Sequence, residues 1–173
     1  MPERAIVEHP DDTLREVSKE VESFGGELEA LVDDLHATRR AHGALGLAAP
    51  QIGERQRVIV CAANDSPEES KTYINPTVTA SSRWAYVEET CLSVPGRTGL
   101  VERPTQLSVV ARDLRGERFT QELEGLEAVC LHHELDHLDG VLFIDRVTAW
   151  AQFQLRIVQG VRRLIGKQQG ANY

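Results

Sequence analysis

No stretch of this sequence is apolar for long enough to cross a bilayer. A spanning helix needs about 20 apolar residues, and the longest run here is roughly Val58–Ala63. The opening residues, MPERAIVEHPDD, contain no apolar segment of the kind a secretory signal requires. Cysteine is sparse: three residues, an odd number at irregular spacing, which excludes a disulfide framework. These absences point to a cytoplasmic protein without a membrane role. The net charge of -8 argues against DNA or any other phosphate backbone as a non-specific partner. No internal repeat, low-complexity tract or linker interrupts the chain, so residues 1–173 read as a single domain around one core.

The periodicity that is present suggests mixed secondary structure. Leu28, Leu31, Val32 and Leu35 recur at i, i+3, i+4 and i+7, one face of an amphipathic helix that ends near Gly43. The Gly/Ala/Pro segment 43–51 has neither helix nor strand period and reads as a close-packed loop. Residues 57–63 read as a buried strand and 64–71 as an exposed loop. Strands are expected at about 72–80, 83–89, 98–102, 105–113 and 117–124, the last two joined by the hairpin turn Asp113-Leu114-Arg115-Gly116. Leu126–Leu138 reads as a helix stopped by Asp139-Gly140. A final helix over roughly 147–166 carries Trp150, Phe153, Ile157, Val161 and Leu164 along one side. Helix, then strands, then helices favours an α+β fold, with small antiparallel or mixed sheets packed around the helix at 126–138, over a doubly wound parallel sheet.

That helix carries the strongest chemical signal, His133-Glu134-Leu135-Asp136-His137. Two imidazoles at i and i+4 face the same way and can share one ion, and Glu134 beside them is placed to take a proton from water that the ion activates. A catalytic site needs a third protein ligand. The position where a metzincin has its third histidine is Phe143, and no glutamate follows Glu134. Asp139 is too close in sequence to turn back, and Asp145 follows an apolar run. The third ligand is therefore sought upstream, among Cys61, Cys91, Cys130, His9, His36 and His42. Cys61 reads as a core residue in an apolar strand. His36 and His42, flanking the first helix, read as surface residues. Cys130, three residues before His133, is a rival, although its neighbours Leu126 and Val129 suggest helix packing. Cys91 sits in a segment too interrupted for a plain core strand, Glu89-Thr90-Cys91-Leu92-Ser93-Val94-Pro95-Gly96. A thiolate there would complete a Cys/His/His site suited to Zn²⁺ or Fe²⁺.

Three segments taken together resemble the peptide deformylase family. Leu45-Gly46-Leu47-Ala48-Ala49-Pro50-Gln51 is similar to its G-x-G-L-A-A-P-Q motif, Glu89-Thr90-Cys91-Leu92-Ser93 to E-G-C-L-S, and His133–His137 to H-E-x-D-H. Their order and separations match, and the likeness runs from Pro10 through the final helix. The resemblance implies a metal-dependent hydrolase that removes the N-formyl group from formylmethionine at the start of nascent polypeptides. By matching position it implies Cys91, His133 and His137 as ligands of one divalent ion, Fe²⁺ in the first place, with Zn²⁺, Ni²⁺ or Co²⁺ as substitutes. It further implies that Glu134 moves the proton, and that the Gln51 side-chain amide and Leu92 backbone N–H stabilise charge on the formyl oxygen. Gly46, which would let the substrate backbone approach closely, Leu45 and Thr90 are the expected substrate-binding residues. Glu89 and Asp136 are expected to orient the ligands.

The chain departs from the family pattern at three positions. Ala44 replaces the first glycine of G-x-G, Thr90 replaces the glycine before the ligand cysteine, and His132 stands where the family has glutamine. A β-branched Thr90 would be strained if that position needed φ > 0. His132 points about 100° around the helix from His133, which suits a supporting role rather than ligation. These departures motivate two alternatives: an amidohydrolase acting on another N-formyl substrate in a specialised pathway, or a weakly active homologue that binds metal or nascent chains. After Asp145 there is no acidic residue, while Arg146, Arg156, Arg162, Arg163 and Lys167 are basic. A basic last helix on an acidic protein suits docking to an anionic surface, and the resemblance implies the ribosome as that surface.

Overall fold

The computed structural model describes residues 3–63 and 66–169, with side chains described outside 63–69 and 160–169. The leucine spacing produces its helix: α1 spans Gly26–Ala41. It carries acidic Glu27 and Glu29 in its first turn and basic Arg39 and Arg40 in its last, matching the helix dipole. The segment expected to be a loop is ordered more regularly, as a short strand β1 (Gly46–Ala48) followed by a 3₁₀ turn (Ala49–Ile52). Small residues permit both, because β1 lies directly on β2 (Val58–Ala63) with Gly46 opposite Cys61.

The strands expected as separate pieces are continuous. β3 spans Ser66–Cys91 and β4 spans Val94–Arg112, paired antiparallel along most of their length. Irregularities at Ile74/Thr77, Val78/Ala80 and Glu89/Cys91 bend this ribbon without ending it. Of the loop expected at 64–71, residues 64 and 65 lie outside the described residues and 66–71 belong to β3. The Asp113–Gly116 turn forms as expected and leads into β5 (Arg118–Glu124), with Gly116 at φ +81° and Asp113 Oδ1 accepting from the Arg115 and Glu117 amides. The result is a five-stranded antiparallel sheet in the order β1-β2-β3-β4-β5.

Alternation along β2 explains how the sheet is covered. Val58 and Val60 face the cluster that contains Leu28, Leu31, Val32 and Leu35 of α1. Ile59 and Cys61 face the opposite cluster, built on Ala128, Leu131, Leu135 and Leu138 of α2 (Gly125–Leu138). Each fully buried leucine of this kind contributes about 1.5–3 kcal/mol through burial. Because α2 is covered on one side by the sheet and its His133–His137 face is also largely buried, its polar residues cannot simply be solvated. A third cluster of Leu14, Val94, Val101, Leu142 and Phe143 supports the β3–β4 turn.

The last two helices are α3 (Phe143–Arg146) and α4 (Ala149–Gln169). The aromatic side of α4 is not its buried side. Trp150, Phe153 and Ile157 are exposed, whereas Ala151 and Leu155 are buried. The small Ala151 lets α4 lie close on the sheet, which turns the aromatic side outward, and Tyr86 meets Trp150 there at 5.5 Å between ring centres. Val161 and Leu164 lie outside the described side chains. Among the described residues, no helix is long and apolar enough to cross a membrane.

Candidate metal centre and catalytic cleft

Three elements converge on one point. The β3–β4 turn, only Leu92 and Ser93 long, holds Cys91 at the end of β3. α2 presents His133 and His137 one turn apart, their rings 5.1 Å between centres. One ligand atom from each of Cys91, His133 and His137 lies within 4.8 Å of the others, and Cys91 Sγ is 3.2 Å from His137 Nε2. Sulfur and imidazole nitrogens around one tetrahedral ion sit about 3.5 Å apart, so this donor set fits a divalent cation. Cys130, the rival ligand, is directed elsewhere, with its sulfur 3.6 Å from Cys61 Sγ. Asp145 is also excluded, since it accepts from the Leu142 amide and pairs with Arg15. The backbone N–H of His9 donates to Ser93, and His42 is exposed at the mouth of the cleft. His36 departs from the expectation of a surface residue flanking α1: it lies within the helix, half-buried, its ring nitrogens 2.6 Å from Ser70 Oγ and 3.0 Å from Thr72 Oγ1.

The electrostatics around the ligands follow from burial. Burial, then the nearby Glu134, pushes the Cys91 thiol up to about 12, so a thiolate there requires a cation. Burial, aided by His133 and Arg103, holds His137 well below its usual value, leaving a neutral ring with a free lone pair. Glu89 Oε2 lies 2.8 Å from His133 Nδ1. That contact places the ring proton on Nδ1 and turns Nε2 toward the other ligands. Burial opposes the charge of Glu89, yet the hydrogen bonds from His133 and Arg103 outweigh it and hold the carboxyl at about 2.

Arg103 is the residue that sequence reasoning missed. Its side chain is fully buried, and its Nε and Nη2 donate to the two Glu89 oxygens at 2.6 and 3.0 Å. Its Nη1 donates to Asp136 Oδ2 at 2.6 Å and reaches His132 Nδ1 at 2.8 Å. Arg146 closes the group by donating to both Asp136 oxygens at 2.5 Å. Two carboxylates thus face two guanidiniums, the balance that buried charge requires. Asp136, expected to orient a ligand, acts one step back by holding Arg103. His132 accepts from Arg103, and burial together with that guanidinium lowers its pKa to about 4. The signal for Arg103 was the inward alternation of Val101 and Arg103, hidden because Pro104 reads as a strand end although β4 continues through it.

A cleft of about 430 Å³ opens beside the cluster and gathers the remaining expected residues: Leu45, Gly46, Gln51, Thr90, Leu92 and Glu134. Gln51 is buried, with Oε1 accepting from the Ala48 amide at 2.9 Å and Nε2 directed at Ser93 Oγ (3.3 Å) and Cys91 Sγ (3.6 Å). Glu134 is 4% exposed, and its Oε2 has no hydrogen-bond partner among the described residues. Burial first, then Cys130 and Glu89, raises its carboxyl well above the usual range. Gly46 lines this cleft and also lies against Glu134. A Cβ there would lie 2.6 Å from Glu134 Oε1, so its bareness makes room for Glu134 itself. Thr90 is exposed in ordinary backbone: among the described residues the non-glycine positions with positive φ are Asn75 and Arg83.

In sequence and fold the chain is similar to known proteins. The polypeptide deformylase family model matches residues 3–153. A peptide deformylase from Legionella pneumophila is 36% identical and superposes with a TM-score of 0.81 over 95% of this chain and 98% of its own. The Thermotoga maritima peptide deformylase is 34% identical with a TM-score of 0.81, covering 86% of this chain and 99% of its own. A class I type b peptide deformylase from Acinetobacter baumannii, bound to Met-Ala-Ser, is 31% identical with a TM-score of 0.78 over 84% and 98%. With the fold, the Cys/His/His cluster and the family match over most of its length in agreement, this chain belongs to the polypeptide deformylase family, metal-dependent hydrolases.

Proposed function

We propose that this protein removes the formyl group from peptides that begin with formylmethionine, releasing formate and a free amino terminus. The observation that carries the reading is the convergence of Cys91, His133 and His137 beside the buried carboxyl of Glu134 at one end of a cleft. A divalent cation held by those three residues supplies Lewis acidity, making water nucleophilic near neutral pH and polarising a carbonyl. The rest is done by the chain. Glu134, with its raised affinity for a proton, takes one from the attacking water and passes it to the departing amine nitrogen. Gln51 Nε2 and the Leu92 backbone N–H donate to the formyl oxygen as charge develops on it. Leu45, Gly46 and Thr90 border the space for the peptide, and the Met-Ala-Ser bound by the Acinetobacter relative supports a methionine-first product.

Fe²⁺ is the proposed ion, with Zn²⁺, Ni²⁺ and Co²⁺ as substitutes, because a Cys/His/His set accepts several divalent ions and availability decides among them. The setting is the cytoplasm, where α4 brings the enzyme to ribosomes. Arg156 on α4 is exposed, and the side chains of Arg162, Arg163 and Lys167 lie outside the described residues.

The test is formate release from formyl-Met-Ala-Ser by protein purified anaerobically and loaded separately with Fe²⁺, Ni²⁺ or Zn²⁺, with Glu134→Ala as control. Release that disappears in the variant is expected. No release from folded, metal-loaded protein, or a preference for small formamides over the peptide, would overturn the reading.

A further inference from the structure

Two cysteines that this chemistry leaves unused lie against each other. Cys61 on β2 and Cys130 on α2 are 69 residues apart in sequence, yet their sulfurs are separated by 3.6 Å. Both are free thiols. A disulfide has an S–S length of about 2.05 Å, so the two sulfurs must close by roughly 1.5 Å to bond. Their surroundings differ. Cys61 is 4% exposed, within the core between the sheet and α2. Cys130 is half-buried and lines the cleft, one helical turn before Glu134. Its sulfur packs over the bare backbone of Gly46, at 2.8 Å from where a Cβ would be. One sulfur of the pair is therefore open to a small solute and the other is not.

We propose that Cys61 and Cys130 are a redox pair, which hydrogen peroxide, a two-electron oxidant, converts to a disulfide inside the folded protein. The Cys130 sulfur attacks one peroxide oxygen, the O–O bond breaks, and the thiol proton leaves with the departing oxygen as water. Cys130 is then a sulfenic acid. The Cys61 sulfur attacks the Cys130 sulfur, the S–O bond breaks, and the Cys61 proton leaves with the hydroxyl as a second water. Two thiols lose two electrons and one peroxide gains them. The order follows from access: the hydrogen bond from Cys130, and then burial, keep Cys61 protonated, so the first attack falls to the cleft-facing sulfur. The product would tie α2, which carries His133, Glu134 and His137, to β2.

The test uses the whole chain loaded with Zn²⁺, which is redox-inert and occupies Cys91. After brief peroxide treatment and blocking of free thiols, peptide mass spectrometry should find Cys61 joined to Cys130, with the intact mass lower by two hydrogens and restored by dithiothreitol. Cys61→Val, which keeps the core filled, should instead leave Cys130 as a sulfenic acid that dimedone traps. Circular dichroism of the treated protein establishes that the fold persists. Sulfinic acid on Cys130 without the cross-link, two unmodified thiols, or a link that forms only after unfolding would each overturn the proposal.

Discussion

A methyl group on Gly46 would sit 2.6 Å from Oε1 and 2.8 Å from Cγ of Glu134. Cγ cannot give way cheaply, because Glu134 is buried on a helix packed against the sheet, so the carboxyl end must move. Gly46→Ala is therefore expected to displace the carboxyl while leaving the three ligands in place. A misplacement on the scale of 1 Å costs about 100-fold in turnover. Steady-state kinetics alongside metal analysis checks this: kcat falls and metal content holds. An unchanged kcat would show that the position of Glu134 does not depend on this glycine.

Arg103 offers a second test. Its removal leaves Glu89 and Asp136 buried, with Glu89 losing both donors from that side. Arg103→Ala is expected to cost about 3–5 kcal/mol, as breaking a buried ion pair does. Arg103→Lys should recover only part, since an ammonium cannot span both carboxylates with the geometry of a guanidinium. Urea unfolding of the three proteins measures it, and a loss below about 1 kcal/mol, the range of surface pairs, would contradict the account.

The same network gives a pH dependence. Glu89 is held at about 2, below its ordinary 4.5, so its contribution to stability is complete above about 4.5 and is lost as pH falls toward 2. Glu89→Gln, which cannot ionise, should be less stable than the parent at pH 7, and the gap should narrow steadily below pH 4.5. Metal-free protein is the right sample, because ion release at low pH then does not intrude. A gap that stays constant across this range would exclude the charged hydrogen bonds as its source.

Thr90 in place of a glycine is expected to be harmless to the backbone, since its φ is not in the left-handed region. Thr90→Gly should gain no stability and is expected to lose about 0.5–1 kcal/mol, the entropic cost of glycine in a strand. Thermal unfolding reads this directly. A stabilised variant would mean that threonine is strained there after all. The exposed side chain borders the cleft, so a change in KM with kcat preserved is the expected kinetic signature.

The proposed docking to ribosomes through α4 would depend on charge and is tested by reversing it. Arg162→Glu with Arg163→Glu should weaken co-sedimentation with ribosomes at low salt without altering turnover of a short formylated peptide. Equal co-sedimentation of parent and variant would remove the proposal.

The helices and the ligand set were legible because their signals are local. The leucines of α1 repeat with helical period, and His133 and His137 are separated by one turn. Cys91 was legible as the best third donor because its flanking residues do not suit a core strand. The long β3–β4 ribbon was not, because Pro95 and Pro104 look like strand ends, whereas an irregularity beside Cys91 and an otherwise unpaired edge absorb them. Arg103 was obscured for that reason. Nor could periodicity show which side of α4 is buried, since the choice between Ala151–Leu155 and the aromatic side depends on how closely the helix meets its neighbour.

The turn that holds Cys91 also sets when the protein can acquire its ion. Cys91 and His137 are 46 residues apart, and they meet only once the β3–β4 ribbon has closed and docked on α2. Before that, His133 and His137 alone would offer two of the three donors, a weaker trap. An ion held by all three residues would therefore be captured only after this long-range assembly.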